Sequence, residues 1–272
     1  MAIFRGLIFD GVNSLDYGIY ITGEAVYNAP ERVIEMVNIP GKNGALAIDQ
    51  GRFGNIEVTY KAGCFADSQY DFAEKVADFR NALASRFTYK RLEDEYNIDE
   101  FRLGLYKSGL EVEAVEYHRA GEFDITFDCK PQRFLIDGES PYNFISNYEG
   151  LLDENSVQLT NEDNIDIEGG TTLSSNIVNP TLFPSKPLIT AIGSGEIGIG
   201  NQIITITDIS DSTKIYIDCE SMEIYTMAGS IISGASSHVA FNSNDFPEIP
   251  VGASGFTYTT QAVEIIPRWW RI

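Results

Sequence analysis

Residues 36–60 restrict the possible folds of this chain more than any other part of the sequence. They contain two turn dipeptides, Pro40-Gly41 and Asn43-Gly44, and the second glycine stands where a hairpin turn requires a positive φ. Short runs of alternating apolar residues flank the turn at 37–39 and 46–48. The pattern predicts a β-hairpin or meander, and nothing in it indicates chemistry.

Period-two alternation of apolar residues continues through most of the chain and predicts a mainly β protein. A second turn is predicted around Gly51, followed by a strand at 55–60. In the first half we also expect strands at 4–9, 17–21, 87–92, 101–106, 110–118 and 122–129. In the second half we expect them at 188–192, 203–207, 214–219, 223–227 and 257–266. Short strands separated by turns at such intervals are typical of a β-sandwich.

Residues 67–84 have helical instead of strand periodicity. Their apolar residues recur every three or four positions and form one stripe, which consists of Phe72, Val76, Phe79 and Leu83. Ser68 is predicted to cap the N-terminus, with Asp71 in the capping position that favours a carboxylate. Arg80 and Arg86 lie toward the C-terminal end, where the helix dipole favours cations. This is the one helix that the sequence predicts clearly.

The chain has 272 residues and a net charge of −21, and the charge is unevenly distributed. Residues 1–136 carry 22 Asp and Glu against 15 Lys and Arg, whereas residues 137–272 carry 18 against 4. Residues 137–180 are rich in Asn, Asp, Gly, Ser and Thr, as a linker or a set of long loops is. We therefore predict two domains, 1–136 and 137–272, the second of which begins with the loop-rich stretch 137–180.

The composition argues against several classes of function. An acidic surface without a basic stripe repels a phosphate backbone, so nucleic acid is not an expected partner. No apolar run approaches the roughly 18 residues that span a bilayer, so membrane insertion is not expected. The chain opens without a signal-peptide pattern. We expect a protein that stays in the cytoplasm unless it leaves by another route, such as lysis.

Three cysteines, Cys64, Cys129 and Cys219, each lie in a strand-like run among apolar residues. Their odd number and the lack of a Cys-x-x-Cys spacing argue against a disulfide framework and against a zinc site. We predict buried free thiols, which fit folding in a reducing compartment. No metal and no cofactor is predicted.

Two local patterns resemble ligand-binding motifs but lack the context that such motifs need. Residues 193–198 match G-x-G-x-x-G, yet strand residues follow where a dinucleotide fingerprint opens a helix, and Glu196 would repel phosphate. We interpret this stretch as a β-turn. The acidic run 162–169 has its glycine in the wrong place for a calcium loop, so we interpret it as a solvated loop.

Few other residues are candidates for catalysis or binding. His118 and His238 have no partner at metal or triad spacing, and we predict surface histidines. Glu93-Asp94-Glu95 is predicted to be a solvated turn, although the paired carboxylates of a glycosidase are a spatial arrangement that sequence does not reveal. Trp269-Trp270 is either a stacking platform for a sugar or peptide, or a packing pair with one ring inward and one outward. Packing is favoured, and no catalytic residue is predicted.

Taken in order, a series of short motifs resembles the distal tail protein of siphovirus-type bacteriophages (siphovirus tail component family). The motifs are Ile39-Pro40-Gly41-Lys42-Asn43-Gly44, the helix after Phe65, Asp124-Ile125-Thr126-Phe127-Asp128-Cys129-Lys130-Pro131, Asn179-Pro180-Thr181, Ser185-Lys186-Pro187, Gly193-Ser194-Gly195, Ile217-Asp218-Cys219-Glu220, Phe246-Pro247, Pro250-Val251-Gly252 and Pro267-Arg268-Trp269-Trp270. Their shared order covers nearly the whole chain. Residues 140–178 are longer and more polar than in a plain member, which leaves the exact domain boundary open.

The resemblance implies a mainly β protein whose N-terminal β-rich domain has one α-helix and a hairpin arm, followed by a galectin-like β-sandwich. It implies a structural hub of a phage tail tip or baseplate, not an enzyme, that forms a ring of six copies. The implied partners are other copies of the chain, the tail tube protein, a tail tip or tail-associated protein, and receptor-binding or baseplate proteins. The implied location is the virion tail tip, with assembly in the host cytoplasm.

A physical mechanism follows from strand edges and symmetry. Unpaired edges invite pairing with another chain, and a head-to-tail interface whose rotation closes gives a ring. We therefore predict that an arm, residues 34–60, lies across a neighbouring subunit and that Phe53 helps to anchor it.

Two other functions stay open at this point. A galectin-like sandwich can act as a carbohydrate-binding module in host-surface adhesion, and Tyr216, Tyr225 and Tyr258 are aromatic candidates for its groove. Against it, residues 137–272 have only four cations, and His238 is their one histidine. The third function is a hydrolase of the cell-wall type, for which the sequence contains no enzyme signature.

Overall fold

The structure, a computed structural model, describes residues 5–22, 27–107, 109–110, 112–115, 119–145, 173–210 and 212–272. It separates into two units, one of residues 1–134 together with Ile272 and one of residues 135–271. Each unit has its own hydrophobic core. Strands predominate in both, so the prediction of a mainly β protein is confirmed.

The first unit contains ten strands, one α-helix and a 3-10 helix at Ser14–Tyr17 within the described residues. Their bounds are β1 Leu7–Phe9, β2 Val12–Asn13, β3 Ile19–Thr22, β4 Arg32–Asn38, β5 Ala45–Phe53, β6 Ile56–Phe65, α1 Gln69–Ala84, β7 Lys90–Asp94, β8 Glu100–Tyr106, β9 Val112–Val115 and β10 Ala120–Leu135. The main sheet has the order β2-β1-β7-β8-β10-β6-β3, and β9 also pairs with β10. Strands β4 and β5 pair with each other and form a separate two-stranded sheet.

The structure moves the bounds of several predicted strands. The strand predicted at 87–92 is wrong at its start, because Phe87 is 84% exposed and Thr88 has a φ of 73°, so pairing begins only at Lys90. The strand predicted at 122–129 is the inner part of the longer β10. Of the strand predicted at 110–118, β9 covers the middle, and residues 116–118 lie outside the described part of the chain.

Helix α1 forms as its sequence predicts. The Ser68 hydroxyl accepts a hydrogen bond from the Asp71 amide at 3.1 Å, and the Asp71 carboxylate accepts one from the Asp67 amide at 3.1 Å. This reciprocal cap satisfies amides that a helix N-terminus otherwise leaves without a partner. At the other end, Arg86 donates to the Ala82 carbonyl at 2.8 Å. The predicted apolar stripe is buried in the core of the first unit.

Aromatic rings fill the core of the first unit around Phe127. Its ring centroid lies 5.0 Å from that of Phe9, 5.8 Å from that of Tyr106 and 6.3 Å from that of Tyr60. On the helix side, Tyr17 and Phe79 bring their ring centroids within 5.6 Å. Tilted and edge-on contacts of this kind add to the stabilisation that comes from area burial.

A charged cluster is buried in the same unit. Arg133 lies 3.4 Å from the Glu100 carboxylate, and both side chains are almost completely inaccessible. Arg102 is 7% exposed, and its Nη1 and Nη2 atoms have no hydrogen-bond partner among the described residues. Burial, and after it the positive charge of Arg133, lowers the pKa of Arg102. One buried carboxylate therefore faces two buried guanidinium groups.

The second unit contains two sheets that enclose one core. Its strands are β11 Tyr142–Ile145, β12 Leu173–Asn179, β13 Leu188–Ile192, β14 Gly195–Ile199, β15 Gln202–Ile206, β16 Lys214–Asp218, β17 Glu223–Ala228, β18 Ile231–Gly234, β19 Val239–Phe241, β20 Gly252–Tyr258, β21 Ala262–Ile266 and β22 Trp270–Arg271. One sheet has the order β11-β21-β13-β16-β17-β18 and the other β12-β20-β14-β15-β19. Isoleucines from both sheets are fully buried in the core, which is the arrangement of a β-sandwich.

The single strand predicted at 257–266 is wrong, because the chain changes sheets in the middle of it. Strand β20 ends at Tyr258 in one sheet, and β21 begins at Ala262 in the other. Between them Thr260 is fully buried, and the Gln261 amide donates to the Ile192 carbonyl at 3.0 Å. The apolar alternation continues through this crossover, so the sequence alone does not mark it.

The stretch 193–198 opens a strand and not a helix, so the interpretation against a dinucleotide site holds. The predicted β-turn is correct only for its first residues, since β14 already begins at Gly195 and pairs with β15. Gly195 has a φ of 154°, and a Cβ placed there would lie 2.7 Å from the Thr260 amide nitrogen. Glycine is therefore required here because backbone from the sheet crossover passes directly over the residue.

We expect Gly195→Ala to lower the free energy of unfolding by about 2–3 kcal/mol, since it combines a backbone clash with an unfavourable φ. Gly255→Ala is the matched control, because a Cβ on Gly255 meets no heavy atom within 4 Å and the change should be nearly neutral. Urea denaturation of the two full-length variants measures the difference. Equal destabilisation by both substitutions would contradict this explanation.

Candidate interaction surfaces

The hairpin of β4 and β5, residues 32–53, is the first candidate surface, and we call it the arm. Its turn contains Gly41 and Gly44, both with a φ of 80°, which confirms the positive φ predicted for Gly44. The amide of Gly54 donates to the carbonyl of Glu31 at 2.9 Å and closes the base of the hairpin.

Gly51 lies within β5, where the sequence predicted a second turn. The pairing shifts register between Arg32 and Ile34, and Gly51 has a φ of 68°, as a β-bulge requires. The Asp49 carboxylate accepts from the Gly51 amide at 3.0 Å and supports the bulge. The predicted bounds of the arm, 34–60, are therefore wrong at the C-terminal end, because 56–60 belongs to β6 in the main sheet.

Both faces of the arm carry exposed apolar side chains. Ile34 and Met36 lie on one face and are 48% and 61% exposed, while Leu46 and Ile48 lie on the other and are 46% and 43% exposed. A two-stranded sheet with an apolar core on neither face gains little from folding alone. Grouped exposed apolar side chains mark sites of protein association, so each face of the arm is a candidate for one.

Charged groups at the base of the arm hold its two strands together. Arg32 lies 2.8 Å from the Asp49 carboxylate, and its guanidinium carbon lies 5.4 Å from the centroid of the Phe53 ring. The hydrogen bond from Gly51, followed by the one from Arg32, holds the pKa of Asp49 below its usual value. Phe53 thus contacts Arg32 of its own hairpin, and its role as an anchor on a neighbouring subunit stays a prediction.

The second candidate surface is the outer face of the sheet that contains β16, β17 and β18. Because side chains alternate between the faces of a strand, Ile215 and Ile217 point into the core and Tyr216 points outward. The register places one row of outward residues across the whole sheet, in the order Asn143, Glu264, Thr190, Tyr216, Tyr225 and Gly234. The row changes from polar to aromatic and ends at a glycine on the sheet edge.

The three tyrosines proposed for a sugar groove do not line one common groove. Tyr216 and Tyr225 stack on each other with centroids 5.2 Å apart and an interplanar angle of 9°. Tyr258 is 2% exposed in the sandwich core, where burial raises the pKa of its hydroxyl to about 12. One ring face of each stacked tyrosine is therefore already covered, and the third candidate is not accessible.

A concave cleft of about 510 Å³ also lies in the second unit. Its lining includes Lys186, Met222, Phe246 and Glu248. Gln202 shapes one wall, because its side chain exchanges two hydrogen bonds with the backbone of Glu248, at 2.8 and 2.9 Å. The cleft is open and carries one cation opposite carboxylates, which does not indicate a particular ligand.

The tryptophan pair packs as the favoured interpretation predicts. Trp269 is 2% exposed in the core of the second unit. Trp270 stacks on Phe183 with centroids 4.4 Å apart, and its indole donates to the Pro184 carbonyl at 2.9 Å. Trp269 is thus inaccessible to a ligand, and Phe183 covers one face of the Trp270 ring.

The predicted solvated turn at 93–95 is wrong for Glu93 and Asp94 but correct for Glu95, which is exposed and lies in the turn after β7. Glu93 and Asp94 belong to β7, and Glu93 is paired with Arg91. Asp94 accepts a hydrogen bond from the Tyr60 hydroxyl at 2.8 Å and one from the Tyr96 amide at 2.9 Å. Burial, and after it Asp94, raises the pKa of Tyr60 well above its usual value. These contacts make Asp94 a structural acceptor.

All three cysteines are free and buried, as predicted. His238 is a surface residue in a 3-10 turn, and its Nδ1 lies 3.1 Å from the Thr207 carbonyl. His118 and the acidic run 162–169 lie outside the described residues. Within the described ranges, no group of three or more His, Cys, Asp and Glu side chains is arranged to hold a metal ion. The prediction that the chain has no catalytic, cofactor or metal site stays a prediction.

Within the same ranges, no helix combines the length and the apolar character needed to cross a membrane.

Several solved structures of phage proteins have the same fold. The Dit protein (gp 19.1) of phage SPP1, described as a paradigm of the hub adsorption apparatus in phages that infect Gram-positive bacteria, matches with a TM-score of 0.66 at 11% identity over 97% of this chain and 98% of that chain. A chain of the phage P2 baseplate in its activated conformation with calcium matches with a TM-score of 0.55 at 12% identity, over 97% of each chain. A chain of the p2 baseplate in its activated conformation with strontium matches with a TM-score of 0.56 at 12% identity, over 98% of each chain. No curated protein matches the chain in sequence.

At such low identity these likenesses show the fold: the chain folds as the hub and baseplate proteins of phage tails do. Residues 16–129, most of the first unit, match the family model of the phage tail protein RIFT-related domain. The first unit is therefore similar to that phage tail domain, and the resemblance to siphovirus distal tail proteins that the sequence indicated is confirmed.

Proposed function

We propose that this protein is the structural hub of a phage tail tip, a distal tail protein that forms a ring and joins the tail tube to baseplate or receptor-binding components. The arm carries the proposal, because it exposes apolar side chains on both faces of an isolated hairpin in a chain with a phage tail domain. A neighbouring copy that covers the arm removes this surface from water, which is the main driving force of protein association.

Ring formation follows from the kind of contact that an arm makes. An arm that lies on a different surface of the next copy forms a head-to-tail interface, and repeated head-to-tail interfaces close into a ring when the rotation permits. We propose a ring of six copies, in which the first unit contacts the tail tube and a tail-associated protein. The second unit carries baseplate or receptor-binding proteins. The virion tail tip is then its final location, after assembly in the host cytoplasm.

We also propose that the two domains have different roles. Residues 1–136 form the ring, and residues 137–272 form a galectin-like sandwich. Support comes from the two separate cores, which let each unit present a surface without the other. The family match, which lies within the first unit, agrees with this assignment.

The carbohydrate-binding alternative has less support than the hub. A sugar stacks on a free aromatic ring face, whereas Tyr258 is buried and Tyr216 and Tyr225 each have one ring face covered by the other ring. We propose no enzymatic activity for the chain.

Native mass spectrometry and negative-stain electron microscopy of the purified full chain test the hub. The expected result is a closed ring of six copies whose population rises with protein concentration. A chain that stays monomeric at its highest soluble concentration, or one that forms open filaments, would contradict it. Calorimetric titration of the full chain with a panel of host cell-wall sugars distinguishes the hub from the carbohydrate-binding alternative, since a hub has no saturable affinity for these sugars.

A further inference from the structure

The loop at the end of the arm contains the one Asn-Gly pair of the sequence, Asn43-Gly44. The loop consists of residues 39–44, which connect the paired residues Asn38 and Ala45. Asn43 and Gly44 are both exposed. Within the part of the chain that the structure describes, the side chain of Asn43 has no hydrogen-bond partner. Its carboxamide is therefore open to water and held by nothing.

The backbone that follows Asn43 is equally unrestrained. The first half of the loop is closed by a hydrogen bond from the Lys42 amide to the Ile39 carbonyl at 3.1 Å. The Gly44 amide, in contrast, donates to no acceptor among the described residues. A Cβ placed on Gly44 meets no heavy atom within 4 Å, so no neighbour packs against this part of the loop. Because glycine also has the widest backbone freedom, the Gly44 nitrogen can approach the Asn43 side chain.

This pair of groups can react without an enzyme. When the Gly44 amide loses its proton to base, its nitrogen forms a bond to Cγ of Asn43, and the side-chain nitrogen takes up a proton and leaves as ammonia. The product is a five-membered succinimide, which water then opens. Opening at the main-chain carbonyl gives isoaspartate, and opening at Cγ gives aspartate. The sum is an amide plus water giving a carboxylate and ammonium, so no oxidant or reductant is needed.

We propose that Asn43-Gly44 is a site of spontaneous deamidation, which changes the end of the arm in chains that have not yet assembled. Both products add a negative charge beside Lys42, and isoaspartate also adds a methylene group to the main chain of the loop. The site itself does not depend on the ring. Its consequence rests on the proposed function: where a neighbouring copy covers the loop, a new charge is costly to bury, so modification weakens assembly.

Asn242-Ser243 provides a comparison site in the second unit. Asn242 is exposed as well, but both ends of its carboxamide are engaged. Its Oδ1 accepts from the Ile203 amide at 2.9 Å, and its Nδ2 donates to the Asn201 carbonyl at 2.9 Å. These hydrogen bonds must break before the side chain can turn toward the next amide, so we expect this site to react slowly.

Peptide mapping by mass spectrometry tests the site on the full chain. The protein is incubated at mildly alkaline pH, at a dilution where native mass spectrometry shows the monomer. We expect Asn43 to convert to isoaspartate and aspartate while Asn242 stays intact. The conversion should be faster at higher pH, because the attacking amide must first lose a proton. An Asn43 that stays unmodified throughout the incubation would overturn the proposal.

Two variants separate the effect of the loop from that of the dipeptide. Ser243→Gly places a glycine after Asn242, so that both sites have the same two residues. Asn242 should still react about tenfold more slowly than Asn43, since two hydrogen bonds must break first. Equal rates at the two sites would overturn the role of the free loop. Asn43→Gln keeps a neutral amide but requires a larger ring in the intermediate, so this position should stay unmodified.

The readouts keep this proposal separate from the hub, because peptide mapping reports the modification and native mass spectrometry reports the ring. Incubated wild type should lose rings in proportion to its modified fraction, whereas incubated Asn43→Gln should keep them. Full ring formation by modified chains would overturn the effect on assembly. A wild-type chain that deamidates at Asn43 but never forms a ring contradicts the hub and leaves the modification site supported. Rings that form from chains whose Asn43 stays intact at every dilution contradict the site and leave the hub supported.

Discussion

A full-length chain with Met36→Ser and Ile48→Ser should fail to assemble while it stays folded. The two residues lie on opposite faces of the arm, so the double variant removes an apolar group from each face. A fully buried large apolar side chain contributes about 1.5–3 kcal/mol relative to exposure. Met36 and Ile48 are 61% and 43% exposed, so together they have about one full side chain left to bury, and each arm loses roughly 1.5–3 kcal/mol of association free energy. This corresponds to a weakening of every interface by about tenfold to a hundredfold.

The same substitutions should hardly change the stability of the isolated chain, because both side chains lie on the surface of the arm and not in a core. Surface substitutions of this kind stay within about 0.5 kcal/mol. Ile98→Ser is the control, since Ile98 is 72% exposed and lies in the turn after β7, outside the arm. Native mass spectrometry and thermal denaturation give the two readouts. An unchanged assembly, or a loss of assembly in the control as well, would show that the arm is not the interface.

Glu100→Gln should be among the most destabilising single substitutions in the first unit. It removes the negative charge from a site where Arg102 and Arg133 are both buried. Removal of one partner from a buried ion pair typically costs about 3–5 kcal/mol, because the remaining charge loses its compensation without returning to water. Urea denaturation monitored by tyrosine and tryptophan fluorescence measures the loss.

The double variant Glu100→Gln with Arg102→Met tests the explanation. Arg102 has the guanidinium whose terminal nitrogens lack a hydrogen-bond partner among the described residues, and burial already lowers its pKa. Replacement by methionine should be neutral or stabilising by itself, and should recover part of the stability that Glu100→Gln loses. Additive losses from the two substitutions would mean that the two charges do not interact.

The features that sequence predicted correctly depend on residues close together in the chain. The cap of α1 needs only Ser68 and Asp71, and its buried stripe follows from spacing within one helix. The turn of the arm needs only the backbone freedom of Gly41 and Gly44. Such local chemistry is visible in the sequence because its causes are neighbours along the chain.

The features that sequence missed depend on contacts between distant residues. Asp94 looked solvated because its partner, the Tyr60 hydroxyl, lies 34 positions earlier. The requirement for Gly195 comes from Thr260, on the crossover between the sheets. The row that ends at Gly234 exists only because six strands are paired in one register. The alternation of apolar residues predicts that a segment is a strand, but it does not predict which strand pairs with it. The interaction surfaces therefore could not be predicted.

The buried thiols make the chain easy to label at chosen sites. Burial raises the pKa of Cys129 and of Cys219 to about 12 and also raises that of Cys64, so little of the reactive thiolate forms near neutral pH. An exposed cysteine introduced by mutagenesis would therefore react with maleimide dyes, whereas the three native cysteines would not react. Fluorescent reporters can then be placed on the otherwise wild-type chain to follow its assembly in real time.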